Sequence, residues 1–226
     1  RKLCRQKDKV MEQQPTSFQN YAEVLSKLGY PIDLSFTSLF ANGGNQLSQL
    51  PNIIGEKTDG ERWIGIAPFA AHNGKMYPKE KMEEVVKVLS TEYSNLRIFF
   101  FGGGKEEKQI LNTWATKYKG CTCASEVLHG LNEELVLISH LDTMISMDSA
   151  NMHLASLVGT RVVSIWGATH PYCGFLGWNQ KEDDAVQNTE LECRPCSVFG
   201  NKPCHRGDFE CMYSIAPSAI IERLNL

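Results

Sequence analysis

Between residues 63 and 166 the chain alternates short apolar runs with longer segments in which apolar residues recur at helical spacing. The apolar runs predict strands at 63–69, 96–101, 121–124, 143–147 and 161–166. The helical spacing is clear in Met82, Val85 and Leu89. Strands that alternate with helices predict an α/β fold, a Rossmann-like parallel sheet with helices on both faces.

The first 60 residues lack this regularity. One amphipathic helix is predicted from Ser17 to Leu28, and residues 30–60 are interrupted by glycine and proline. Residues 1–14 are polar and basic, which predicts a solvated arm. We therefore expect residues 1–60 to be the last helix of a preceding domain and a linker, and residues 61–226 to form the Rossmann-like domain.

The net charge and the length of the apolar runs argue against two classes of protein. The net charge of −3 argues against a general nucleic-acid binder, because phosphate contacts demand a strongly basic face. No apolar run approaches the ~20 residues that cross a bilayer, and no secretory signal is visible. We therefore expect a cytoplasmic protein with reduced thiols.

The stretch from residue 143 to 166 reads as strand, polar turn, helix and strand. Asp148, Ser149 and Ala150 form the turn, at the carboxyl edge of the predicted sheet. A helix N-terminus at that edge favours an anion such as a phosphate, and His153 lies about one turn into the helix. The alternative is that Asp148 or Ser149 only caps the helix and that His153 is a surface residue.

Two further loops belong to the same edge. Gly102 to Gly104 follow the second strand, but a dinucleotide fingerprint would need glycine where Glu107 stands, so these residues are weak evidence for a nicotinamide dehydrogenase. A simple tight turn explains them as well. In the loop after the first strand, Lys75 could neutralise a diphosphate leaving group without a metal, or could be an ordinary exposed lysine.

The loop at 193–211 is rich in cysteine. Its thiols are Cys193, Cys196, Cys204 and Cys211. They could bind a structural zinc, form two disulfides in any of three pairings, or stay reduced and unpaired.

Taken in order, these motifs resemble glycosyltransferase family 9, the ADP-heptose lipopolysaccharide heptosyltransferases, in their C-terminal half. The resemblance covers roughly residues 15 to 226. The matching segments are the lysine loop at Lys75 to Pro78, the glycine turn, an S-x-D-[ST]-x-x-x-H segment from Ser146 to His153, a G-x-T-x-P segment from Gly167 to Pro171, and the cysteine-rich loop closed by Cys211-Met212.

The resemblance implies the C-terminal domain of a GT-B fold and an inverting, metal-independent transfer of a sugar. The expected donor is ADP-heptose, and the expected acceptor is a lipopolysaccharide core or another lipid-linked glycan. Lys75 and Asp148 are the expected catalytic residues. The expected donor-binding residues are Ala70, Ala71, Lys75, Gly103, Gly104, His129, Asp148, Ser149, Ala150 and His153.

The same resemblance implies no cofactor, and peripheral contact with the inner face of the cell membrane. An acceptor-binding domain upstream would supply the catalytic base. The sequence departs from the family's pattern at Ala70 and Ala71, where hydroxyl-bearing residues are expected, at Gly104 instead of an acid, and at His129. The alternative hypothesis is a non-catalytic Rossmann-like interaction module that holds a structural zinc.

Overall fold

The computed structural model describes residues 2–5 and 7–226 and contains one six-stranded sheet. Every strand pairs in parallel with its neighbours, in the order β3-β2-β1-β4-β5-β6. The strands are β1 (Arg62–Ala67), β2 (Leu96–Phe100), β3 (Cys121–Cys123), β4 (Thr143–Met147), β5 (Val162–Trp166) and β6 (Ala185–Gln187). The predicted parallel sheet is confirmed. Of these strands, only β6 was not predicted, because it is short and directly follows the acidic residues 182–184.

Helices lie in most of the connections between successive strands. They are α1 (Ser17–Lys27), α2 (Lys79–Glu92), α3 (Lys105–Lys117), α4 (Ala124–Val127), α5 (Leu131–Ser139), α6 (Ala150–Leu157), α7 (Glu210–Tyr213) and α8 (Pro217–Glu222). Two short 3-10 turns, Asn73–Lys75 and Pro171–Cys173, follow β1 and β5.

Two apolar layers cover the sheet, one on each face. Ile64 and Ile66 of β1 point into a layer with α2, α3 and α8, whereas Trp63 of the same strand joins a layer with α5 and α6. Both layers are buried because successive residues of a strand point to opposite faces. The near-continuous apolar strands of the sequence are explained by this double cover.

The strand order creates a switch point between β1 and β4. From β1 the chain runs outward to β2 and β3, and it then returns to β4 and runs outward on the other side to β5 and β6. In open α/β sheets the crevice outside the carboxyl ends of the strands at such a point is the usual ligand site. Lys75 follows β1 and Asp148 follows β4, so the topology brings them to this crevice.

The N-terminal segment packs on the domain at Leu3 and Lys9, which the prediction of a solvated arm missed, whereas Lys7, Asp8 and residues 11–14 are exposed as predicted; Arg1 and Gln6 lie outside the described residues. Leu3 is buried, and the Lys9 ammonium donates to the carbonyl oxygens of Glu192 and Arg194 at 2.7 and 2.9 Å. Burial lowers the pKa of Lys9. The arm therefore covers the cysteine-rich loop.

Residues 17–60 consist of an exposed helix and a segment that packs on the core of the domain. Thr16 caps α1 in a reciprocal capping box with Gln19, but no α1 residue in the described structure is buried, and the apolar side predicted for this helix is exposed at Val24. Leu50 and Ile54, by contrast, lie in the apolar layer of α5 and α6. Within residues 2–5 and 7–226, none of the helices has the length and hydrophobicity of a membrane span.

Candidate functional site

A cavity of about 590 Å³ opens at the switch point between β1 and β4. Its walls come from the loops after β1, β2, β4 and β5 and from the tip of the cysteine-rich loop. The lining residues are Phe69, Ala70, Ala71, His72, Lys75, Gly102, Glu107, Asp148, Ser149, Ala150, Asn151, His153, Phe175 and Phe199. This volume and its mixture of aromatic walls with a few convergent polar groups are typical of a small-molecule site.

Lys75 and Asp148 form an ion pair inside this cavity. Lys75 Nζ lies 2.9 Å from Asp148 Oδ2, and the two side chains are only 15% and 4% exposed. The contact lacks hydrogen-bond geometry, and the buried Oδ2 atom has no hydrogen-bond partner among the described residues. Asp148 thus holds an ammonium at the cavity, where that ammonium can meet an anionic group of a ligand.

The loop that carries Lys75 is fixed by backbone contacts. The N–H of Ala168, at the end of β5, donates to the Gly74 carbonyl oxygen at 2.8 Å. Gly74 must be glycine here, because an added Cβ would lie 2.8 Å from the Ala168 Cβ. Lys75 is therefore held against the end of a core strand, and the alternative of an ordinary exposed lysine is wrong.

The N-terminus of α6 faces the same cavity. Ser149 occupies the N-cap position, but its hydroxyl makes no capping bond and lies instead 3.3 Å from the Ser146 hydroxyl. The first N–H groups of α6 thus lack a side-chain cap in the described structure, and an anion is favoured there. His153 lines the cavity one turn later; burial lowers its pKa, and Lys75 lowers it further against the opposing effect of Asp148.

The glycine turn brings a carboxylate to the cavity. The N–H of Gly103 donates to Glu107 Oε2 at 2.6 Å, and Glu107 together with Gly102 lines the cavity. A Cβ at Gly102 would meet Leu111 at 2.8 Å, so close packing requires the glycine. An acid is therefore present at this turn, although it stands three residues after Gly104, where the resemblance placed it.

Seven of the ten residues expected to bind the donor lie together in the cavity. They are Ala70, Ala71, Lys75, Asp148, Ser149, Ala150 and His153. The other three do not line it: Gly103 borders a shallower groove along α3, Gly104 begins α3, and His129 is exposed. The backbone N–H of His129 donates to the carboxylate of Glu133 in α5.

Five lining residues carry no signal that the sequence analysis recognised, namely Phe69, His72, Asn151, Phe175 and Phe199. Phe69 and His72 belong to the predicted loop after β1, and Asn151 to the predicted turn after β4, so position alone could have included them. Phe175 and Phe199 come from irregular segments far along the chain. No periodicity marks them, because only the tertiary fold brings them to the cavity.

The cysteine-rich loop is tied to the sheet by one buried arginine. The guanidinium of Arg194 donates to the carbonyl oxygens of Trp166, Gly167, Thr169 and Asn188, at distances from 2.5 to 3.1 Å. Only 4% of Arg194 is exposed, and burial lowers its pKa. The loop is therefore anchored at the end of β5, beside the cavity.

The thiols of the chain are free. All eight cysteines are unpaired, and the described residues contain no group of three or more metal-ligating side chains placed to hold an ion. Burial raises the pKa of Cys196 and of Cys211 to about 11, so both are protonated at neutral pH. The structure thus pairs none of the four thiols of the loop.

The sequence profile of glycosyltransferase family 9 (heptosyltransferase) matches residues 8–203. The chain belongs to glycosyltransferase family 9. Lipopolysaccharide heptosyltransferase 1 of Campylobacter coli is 27% identical over 153 residues, which are 66% of this chain and 44% of that protein. The chain spans about half the length of the curated family members that it matches.

Solved structures of the family share the fold. The family 9 glycosyltransferase of Veillonella parvula superposes with a TM-score of 0.66 and 16% identity, over 94% of this chain and 60% of that one. The ADP-heptose lipopolysaccharide heptosyltransferase II of E. coli gives a TM-score of 0.55 and 19% identity, over 74% of this chain and 46% of that one. At such identities the likeness shows the fold.

Proposed function

We propose that this chain binds the nucleotide-diphosphate sugar of a heptosyltransferase, with ADP-heptose or a close analogue as the donor. The observation that carries the proposal is the buried Lys75 and Asp148 pair beside the uncapped N-terminus of α6. A diphosphate is the ligand group that a lysine and free helix N–H groups suit best. Membership of glycosyltransferase family 9 supports the same donor class.

The proposed reaction is an inverting sugar transfer. The acceptor hydroxyl attacks the anomeric carbon, a new C–O bond forms, and the bond from that carbon to the diphosphate oxygen breaks on the opposite face. Negative charge then grows on the leaving diphosphate. Lys75 and the N–H groups of α6 stabilise that charge, the role that a metal ion fills in other transferases.

Asp148 has a different role in this proposal. Its carboxylate holds the Lys75 ammonium through Oδ2, and a hydroxyl of the sugar would donate to the same carboxylate group. His153 is neutral at pH 7 because its pKa is lowered, so it completes the pocket as a hydrogen-bonding group and adds no charge. The proton of the acceptor hydroxyl leaves to a base on the acceptor-binding domain that the resemblance implies.

We further propose that residues 1–60 are the last helix and linker of that domain, and that residues 61–226 form the donor domain. The exposed apolar side of α1 supports this division, because Tyr21, Val24 and Leu28 are 72%, 55% and 66% exposed. The acceptor would be a lipopolysaccharide core or a related glycolipid, met at the inner face of the cell membrane. Nucleic acid is not a proposed partner.

Calorimetric titration of the chain with ADP, UDP and GDP, each with and without Mg²⁺, tests the proposal. We expect ADP to bind with micromolar affinity and without a need for Mg²⁺. Equal, very weak binding of all three nucleotides would contradict it. Stoichiometric zinc in the same purified chain, together with the absence of nucleotide binding, would favour the non-catalytic module instead.

A further inference from the structure

Two phenyl rings from distant parts of the chain meet at the cavity. The ring centroids of Phe175 and Phe199 are 5.5 Å apart and the rings are inclined by 50°. Both residues line the cavity that holds Lys75 and Asp148. Phe199 is 56% exposed, so a large part of its ring is free to contact a ligand.

The tip of the cysteine-rich loop fixes the position of Phe199. The N–H of Phe199 donates to the Ser197 hydroxyl at 3.3 Å, and that buried hydroxyl donates to Asn201 Oδ1 at 2.9 Å. Gly200 then packs on the stem of Lys75. The ring is therefore presented by a tight turn that touches the lysine of the site.

The strand order gives the cavity two ends. Glu107 lies in the first turn of α3, which follows β2, whereas Phe175 and Phe199 belong to segments that follow β5. Because β1 and β4 lie between β2 and β5, the Lys75 and Asp148 pair separates a carboxylate end from an aromatic end. A diphosphate at Lys75 would place the nucleoside at one end and the sugar at the other.

The carboxylate end suits the nucleoside. A carboxylate accepts hydrogen bonds from ribose hydroxyls, and Glu107 presents one at this end of the cavity. This leaves the aromatic end for the transferred sugar, whose ring has an apolar C–H face and polar hydroxyl edges. Phenyl rings match the apolar face, and the carboxylate of Asp148, which lines the same cavity, can accept hydrogen bonds from the hydroxyl edge.

We infer that Phe175 and Phe199 pack against the transferred sugar and help to select which sugar this protein accepts, an inference that rests on the proposed binding of a nucleotide-diphosphate sugar. No contact of either ring with the nucleoside is required. ADP, which lacks the sugar, would therefore bind without contacting either ring, whereas ADP-heptose would contact both.

Separate titrations of ADP and ADP-heptose into the Phe199→Ala and Phe175→Ala variants test this inference. We expect the Kd for ADP-heptose to rise about tenfold in each, since a buried aromatic contact is a typical binding anchor, and the Kd for ADP to change less than about twofold. Phe199→Tyr keeps the ring and should retain the affinity for both ligands. Tyr213→Ala is the matched control, because Tyr213 is 55% exposed and lies outside this cavity.

Other outcomes would overturn the inference in distinct ways. Equal losses for ADP and ADP-heptose would place the rings at the nucleoside, and unchanged affinities in both alanine variants would remove them from the site. An unaltered chain that binds ADP-heptose no better than ADP would show that no group contacts the sugar. Failure of the unaltered chain to bind ADP would instead overturn the proposed function itself.

If either alanine variant unfolds, Phe199→Leu and Phe175→Leu, which keep apolar bulk without a ring, decide the same comparison.

Discussion

Gly200, in the tip of the cysteine-rich loop, packs directly on the side chain of Lys75. A Cβ added at Gly200 would lie 2.7 Å from Lys75 Cγ and 3.0 Å from its Cε. Gly200 also has a φ of +73°, a backbone conformation that suits glycine. The loop thus contacts the residue that we assign to the diphosphate, so a substitution in the loop should change the affinity of the site for ADP.

We predict that Gly200→Ala weakens ADP binding by about five- to tenfold. The new methyl group must displace the Lys75 stem, and a hydrogen bond to a charged group is worth about 1.5–3 kcal/mol, of which the shift removes a part. Titration calorimetry measures the change. Gly207→Ala is the control, since Gly207 has a φ of +80° and nothing lies within 4 Å of its added Cβ.

The control separates strain from contact. Both alanine variants should lose about 1 kcal/mol of unfolding free energy, because alanine is strained at positive φ. Only Gly200→Ala should lose affinity for ADP. A similar loss of affinity in Gly207→Ala would mean that backbone strain in the loop, not contact with Lys75, controls the site.

Lys75→Ala should raise the Kd for ADP by about 10- to 100-fold, because a charged contact to the diphosphate is lost. The chain should still fold, but with about 3 kcal/mol less stability, since Asp148 is left buried without its cation. Chemical denaturation measures this stability. The sequence alone gave no reason to expect such a cost.

The double variant Lys75→Ala with Asp148→Asn separates stability from binding. Removing the buried carboxylate charge should restore most of the lost stability, while ADP affinity stays low. Recovery of ADP affinity in the double variant would remove Lys75 from the diphosphate site. Lys79→Ala, at an exposed lysine of α2, should alter neither quantity.

The stability of the chain should fall in acid partly through His170. Its Nδ1 accepts the N–H of Tyr172 at 3.0 Å, and burial, helped by Arg194, lowers the pKa of His170 to about 4. Unfolded histidine has a pKa near ~6.5, so the unfolded chain takes up a proton first as the pH falls. Stability is therefore complete above pH ~6.5 and is lost as the pH falls towards about 4, by at most about 3 kcal/mol.

His170→Asn tests this dependence. Asparagine can accept the same N–H and does not titrate, so the melting temperature of the variant should fall less between pH 6.5 and 4 than that of the unaltered chain. His153, whose pKa burial also lowers, is present in both proteins and cancels in the comparison. An equal fall of melting temperature in the variant and in the unaltered chain over this pH range would show that the pKa of His170 is the same in the folded and unfolded states.

Much of the fold was predictable because parallel strands covered on both faces leave long apolar runs in the sequence. Each of the predicted runs at 63–69, 96–101, 143–147 and 161–166 overlaps a strand of the structure. β6 was missed, since Ala185–Gln187 is short and follows three acids. The N-terminal arm was also misjudged, because the buried side chain of Leu3 lies in a stretch whose charge dominates the pattern.

The candidate site was predictable only where it follows directly from a strand. Lys75 and Asp148 could be placed because they come soon after β1 and β4, and the strand order then brings them together. Phe199 could not, since its place depends on how the cysteine-rich loop folds back over Lys75. Glu107 could not be placed either, because its carboxylate is positioned at the cavity by a hydrogen bond from the N–H of Gly103.

Arg194 should be the residue of the cysteine-rich loop on which stability depends most. Its guanidinium satisfies four carbonyl oxygens around the end of β5 and is 4% exposed, so Arg194→Met would leave buried acceptors without donors and cost about 3 kcal/mol or more. Arg206→Met is the matched control: Arg206 pairs with Asp208 at the surface, where solvent screens the pair, so its loss should leave stability nearly unchanged. Urea unfolding compares the two, and ADP affinity should fall only in Arg194→Met, because the loop that touches Lys75 is loosened. Equal stability of the two variants would mean that other contacts hold the loop in place.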